Sequence, residues 1–173
     1  TGIIDTAGLP ELLDAAGLLA GSKSWSESDQ AGLVQWFKDY ITWLTTHEYG
    51  IAEARADNNH GTWYDVQLAA FALFVGDDAL AKKVLSEAGE RRIAVQIEPD
   101  GRQPRELART KSYSYSVMNL DGLFALARLG EHVNVDLWRL ETQDGRSIRK
   151  AIDWILNHAF GNEEWTYQNL HPI

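Results

Sequence analysis

The residues best suited to chemistry fall in two short stretches. The first is Asn58-Asn59-His60-Gly61-Thr62-Trp63-Tyr64-Asp65-Val66-Gln67, where two amides and an imidazole open a helical pattern. Apolar packing gives no reason for them. They can be a simple helix cap. They can also be an anion site, because a helix start offers free N–H groups and the positive end of its dipole. A carboxylate held there would meet the Asn side chains, His60 and the dipole together. The second stretch is Glu106-Leu107-Ala108-Arg109, followed by Tyr113 and Tyr115. In a helix, two tyrosines two positions apart point to different faces, so at most one reaches a given site. The bland readings are a salt bridge for Arg109 and half-buried packing with a wet hydroxyl for the tyrosines.

Composition narrows the partners. The net charge of −9 argues against nucleic acid, whose phosphates need a basic surface. Basic residues nonetheless concentrate in one region: Arg91, Arg92, Arg102, Arg105, Arg109 and Lys111. Such a patch can hold an acidic ligand, or it can be a solvated face with surface ion pairs. Seven tryptophans and six tyrosines suit a sugar-binding cleft, although core packing accounts for several of them. The absence of cysteine excludes disulfides and thiolate chemistry. The histidines at 47, 60, 132, 158 and 171 lack the short helical spacing of a zinc motif, so no metal or other cofactor is expected. No run approaches the roughly 18 apolar residues of a membrane span, and no membrane partner is expected.

The elements that must position these residues are helical. Leu9, Leu12, Leu13, Ala16 and Leu19 follow a 3–4 spacing that ends at Gly21. Ser26 or Ser28 can cap a second helix, with Leu33, Trp36, Phe37, Tyr40, Ile41 and Leu44 as its stripe and Gly50 as its end. Residues 53–60 carry no helical pattern. A third helix is expected over Trp63 to Val75, stopped by Gly76, and a fourth is capped by Asp77. Residues 95–104 read as a loop with a Pro-Asp-Gly turn, strand-like only at Val95 to Ile97. A long fifth helix starts at Leu107 or Tyr113 and runs to Leu129. A sixth covers Arg146 to Ala159. The fold class is all-α, built of stacked helical hairpins.

In order and spacing, the two stretches resemble the alginate-lyase family of polysaccharide lyases and its glucuronan-cleaving relatives. Those lyases carry Asn-Asn-His before a helix opening on an aromatic pair, then Glu-Leu-x-Arg, then a tyrosine. Here His60 and Arg109 stand 49 positions apart, and Tyr115 follows Arg109 by six. The chain departs from the common pattern at Gly61-Thr62 and at Ser116. The resemblance implies part of an (α/α) toroid, an incomplete barrel. Residues 1–173 would be one catalytic domain, a C-terminal portion of a longer toroid whose remaining hairpins lie outside it. It further implies β-elimination on an acidic polysaccharide, polymannuronate or glucuronan, in a secreted or periplasmic protein.

The resemblance also implies roles. Asn59, His60 and Arg109 would surround the substrate carboxylate, and Tyr115 would carry the proton. Asn58, Trp63, Gln67, Arg105 and Tyr113 are the further candidates for substrate contact. Removing the C5 proton of a uronate builds charge on its carboxylate, and donors placed there lower the barrier most. In D-mannuronate and D-glucuronate the C5 proton and O4 lie on one side, so one tyrosine can serve as base and then acid. In L-guluronate they lie on opposite sides, and His60 would be the base with Tyr115 the acid. A glycosaminoglycan lyase of related toroid fold and a non-catalytic carbohydrate-binding domain are the competing readings. A glycoside hydrolase needs two facing carboxylates, and only Asp65 and Glu106 offer themselves, by default.

Overall fold

A computed structural model describes residues 2–170; His171 lies outside them. The chain starts with a 3-10 turn, Gly2–Thr6, and then forms helices α1 (Leu9–Gly17), α2 (Glu27–Thr46), α3 (Glu48–Arg55), α4 (Asn59–Phe74) and α5 (Asp78–Ala88). A π-helical turn, Gly89–Ile93, leads into α6 (Ala94–Gln96); α7 (Pro104–Leu107), α8 (Ser112–Glu131) and α9 (Ile148–Ala159) follow. Among the described residues the only β pairing is an isolated bridge between Lys111 and Asn169. The fold is all-α.

Helix α4 is the hub. Residues around its whole circumference are buried, from Asn59 and Thr62 to Phe71 and Ala72. A helix buried all round must be covered on every side. Here α8 and α5 supply the most extensive contacts, and α1, α2 and α3 complete the cover. Phe37 of α2 meets Phe71 at 4.8 Å and Phe74 at 5.4 Å between ring centroids. Leu85, Leu123 and Leu126 close the core from α5 and α8.

Local signals set most boundaries. Ser26 caps α2 in a reciprocal capping box with Asp29. Asp77 caps α5 by accepting the Leu80 N–H, and Ser147 caps α9 through Lys150. Gly76 turns the chain between α4 and α5 at φ +80°, in the left-handed region that favours glycine.

Three expectations are corrected. Gly50 does not end α2. His47 ends it, and its ring also caps α3 by accepting the Tyr49 N–H. Gly50 lies inside α3, where a Cβ would collide with the Leu44 backbone. Part of the stretch expected to lack helix, through Arg55, therefore belongs to α3, and α4 begins at Asn59 rather than Trp63. Val95 to Ile97 is not a strand, because the chain is still helical through Gln96. Burial follows helical spacing, with Ile93, Gln96 and Ile97 enclosed and Val95 exposed, and tertiary context outweighs β-propensity. The fifth helix takes the later of its two expected starts, within one residue: α8 begins at Ser112, and α7 is a separate turn before it.

A buried ion pair locks the joint between α3 and α4. Arg92 Nε donates to Asp65 Oδ2 at 2.7 Å and its Nη2 to Oδ1 at 3.0 Å. The same guanidinium donates to the carbonyls of Ala54 and Ala56. Removing one partner of such a pair leaves an uncompensated buried charge. Arg92→Met should therefore lower the unfolding free energy by about 3–5 kcal/mol. Adding Asp65→Leu should restore part of that loss, and urea titrations of the single and double variants measure both.

Candidate functional site

The start of α4 holds a carboxylate, and the protein supplies it. Asn58 is the cap: its backbone is extended and its Oδ1 accepts the His60 N–H at 3.1 Å. The Asn59 backbone N–H donates to Glu106 Oε1 at 2.6 Å, and Asn59 Nδ2 donates to Glu106 Oε2 at 2.7 Å. Asn59 and Glu106 are each only 1% exposed. One amide hydrogen of Asn59 is thus committed, and its Oδ1 accepts no hydrogen bond among the described residues. Burial pushes the Glu106 carboxyl above its ordinary range, while the Asn59 donors and the nearby charges of Arg109 and His60 pull the other way. Glu106 thus ties the second sequence stretch to the first through Asn59.

The charges of His60 and Arg109 both act on this carboxyl. The His60 ring is half-buried, and its Nδ1 lies 2.8 Å from Glu53 Oε2 on α3. Arg109 follows α7, with its guanidinium carbon 4.3 Å from the centre of the Tyr115 ring, a cation–π geometry. Both residues are half-buried. Among the described residues Arg109 and the exposed Lys111 make no ion pair, in contrast to the four arginines before them. Arg91 pairs with Glu87, Arg92 with Asp65, Arg102 with Glu98 and Asp100, and Arg105 with Asp57. For those four, the surface-or-structural ion-pair reading of the basic run holds.

The first turn of α8 aims Tyr115. Its cap residue, Lys111, makes no side-chain capping bond, and the later chain holds this end instead. Ser112 Oγ donates to the Gln168 carbonyl at 2.6 Å and accepts the Trp165 indole N–H at 3.0 Å. Tyr113 turns to Trp165, with ring centroids 5.2 Å apart in an edge arrangement.

The remaining candidates lie elsewhere. Gln67 is fully enclosed and donates to the Ile3 carbonyl at 2.8 Å, which anchors the first turn of the chain. Trp63 donates its indole N–H to the Met118 carbonyl. It borders a groove of about 690 Å³ between α1, α4 and α8 that is not lined by His60, Arg109 or Tyr115. Arg105 is exposed and held 2.8 Å from Asp57. The two carboxylates considered for hydrolysis are both committed to buried partners, Asp65 to Arg92 and Glu106 to Asn59. Sequence reasoning missed Glu53 as the partner of His60. It quoted Glu106 within a motif without seeing that Asn59 binds it.

Glu106 carries a testable pH dependence. Its folded-state value is raised, so protonation favours the folded chain. The stability advantage of the native chain over Glu106→Gln should decline as pH rises from the ordinary carboxyl range through the raised folded value. It should level off once Glu106 is ionised in both states. Denaturant midpoints of the two proteins across that interval provide the measurement.

Comparison with known proteins agrees with the all-α fold. The family model described as Alginate lyase matches residues 1–165. A solved structure of an alginate lyase from Bacteroides ovatus superposes with a TM-score of 0.95 at 38% identity. The match covers 98% of this chain and 45% of that one, so the chain spans less than half the length of its solved relative. An all-α segment of that extent is consistent with part of a toroid. No curated protein matches the chain. By the extent of the family match, the chain belongs to the alginate lyase family.

Proposed function

We propose that the chain carries the proton-transfer machinery of a uronan lyase, acting on β-linked mannuronate or glucuronate. The observation that carries this reading is the Arg109 guanidinium set 4.3 Å from the Tyr115 ring without an ion-pair partner among the described residues. A half-buried cation with no carboxylate in contact keeps its charge for an incoming anion. The C6 carboxylate of a uronate, with the charge it gains during elimination, is such an anion. The solved relative is itself described as an alginate lyase.

In this mechanism the Tyr115 oxygen takes the C5 proton. The electron pair of the broken C–H bond delocalises into the carboxylate, where Arg109 offsets the charge. The C4–O4 bond then breaks, its place taken by a C4=C5 double bond. The departing O4 receives the proton from Tyr115, which leaves the residue ready for another turn. The polymer supplies every atom, and no water is consumed.

Tyr115→Phe should abolish turnover on polymannuronate and glucuronan while leaving polymer binding largely intact, because Phe keeps the ring and its packing on Arg109. Arg109→Gln should slow the reaction by about 10²–10³-fold, the range for loss of one group that stabilises a growing oxyanion. Ultraviolet absorbance of the unsaturated uronate reports both, with polyguluronate and hyaluronan as comparison substrates. Near-normal activity of Tyr115→Phe would remove Tyr115 from this role. Product from hyaluronan alone would move the substrate to the glycosaminoglycans.

A further inference from the structure

The Glu53–His60 contact is not used by the mechanism above. Glu53 lies on α3 and His60 on the first turn of α4, so the joint locked by Arg92 sets their separation. His60 Nδ1 and Glu53 Oε2 are 2.8 Å apart. An ionised carboxylate only accepts hydrogen bonds, so Nδ1 must carry a hydrogen. In the neutral ring the lone pair then falls on Nε2, which makes no hydrogen bond among the described residues. The other carboxyl oxygen, Oε1, accepts the Ile3 N–H at 3.3 Å. Gly2, at φ +63°, leaves room for it where a Cβ would collide. The carboxylate is therefore held from both ends. The other titratable group whose charge couples to His60 is Glu106, which is occupied by Asn59.

We propose that Glu53 is a positioning residue, which fixes the proton of neutral His60 on Nδ1 and so presents the Nε2 lone pair to the substrate. This rests on the reading of His60 as a site residue. A ring held in this way accepts a proton at Nε2 and cannot donate from it while neutral. His60 is thereby fitted to remove a proton from the face of the sugar opposite Tyr115, and less fitted to neutralise a carboxylate.

Glu53→Gln tests this with little change of shape. The Gln Oε1 can keep the Ile3 N–H, and its Nε2 hydrogens then face His60 Nδ1. The ring must turn its lone pair to Nδ1 and carry its proton on Nε2. Nitrogen-15 NMR of the histidine rings, at a pH where His60 is neutral, should show the Nδ1–H form in the native chain and the Nε2–H form in Glu53→Gln. On a polymer for which His60→Ala is inactive, Glu53→Gln should lower kcat by at least about tenfold and leave KM nearly unchanged, as for partners that orient functional histidines. An unaltered tautomer would overturn the proposal. So would a switched tautomer with native kcat, because Glu53 would then orient a ring on which the rate does not depend. The NMR result stands independently of activity. Absence of unsaturated product from the native protein would thus count against the lyase reading while the tautomer assignment is still decided.

Discussion

The bidentate contact between Arg92 and Asp65 is the constraint on which the site geometry depends. Both side chains are almost completely buried. Taking two charges out of water is unfavourable unless their remaining hydrogen-bonding positions are filled. They are filled here by the backbone: Arg92 also donates to the carbonyls of Ala54 and Ala56. Ala54 lies near the end of α3, where carbonyls lack helical partners. One guanidinium therefore satisfies the end of α3, crosses to the middle of α4 and fixes the bend between them. Gly61 has no side chain for the same reason, since a Cβ there would collide with the Arg92 guanidinium and the Ala56 carbonyl. Asn58, Asn59 and His60 occupy the bend so defined.

A second, uncharged set of contacts joins this bend to the start of α8. Gln96 Oε1 accepts from Thr62 Oγ1 on α4 and from Asn119 Nδ2 on α8, while Gln96 Nε2 donates to the Asn58 carbonyl. Asn119 Nδ2 also reaches Gln103 Oε1, and Gln103 Nε2 donates to the Ser116 carbonyl. Amide side chains suit this task because each offers donors and an acceptor without a charge to desolvate. The network runs from the helix start that carries His60 to the helix turn that carries Tyr115. Glu106 adds a parallel tie through Asn59. Residues distant in sequence are thus held by bonds beneath the site rather than by contact between the functional groups themselves.

These ties explain what the sequence disclosed and what it withheld. Helices announced by periodic apolar residues and a local cap, such as α2 with Ser26 and α5 with Asp77, were legible because their determinants lie within a few positions of each other. The break between α2 and α3 was not. It depends on a histidine ring serving as a cap and on a glycine selected for close packing against Leu44 rather than for a turn. Within the site, Asn58 as a cap was readable from its type and place. The Asn59–Glu106 pair spans 47 positions and the Arg92–Asp65 pair 27, and no local pattern marks either. The motif residues were legible as types and spacings, while the partners that make their surroundings rigid emerged only from tertiary structure.

Charge distribution follows the same division between structure and site. An acidic chain proposed to receive an acidic polymer cannot rely on its overall field, which is repulsive at long range. It needs a local cation whose charge is not already neutralised. The four arginines from 91 to 105 do not provide one, because Arg91, Arg92, Arg102 and Arg105 are each matched by a carboxylate. Arg109 differs in having an aromatic ring where the others have an acid. A ring face attracts a cation more weakly than a carboxylate does and does not cancel its charge. Packing Arg109 on Tyr115 therefore orients the guanidinium yet leaves its charge for a ligand, and it brings that charge beside the hydroxyl-bearing residue proposed to move the proton.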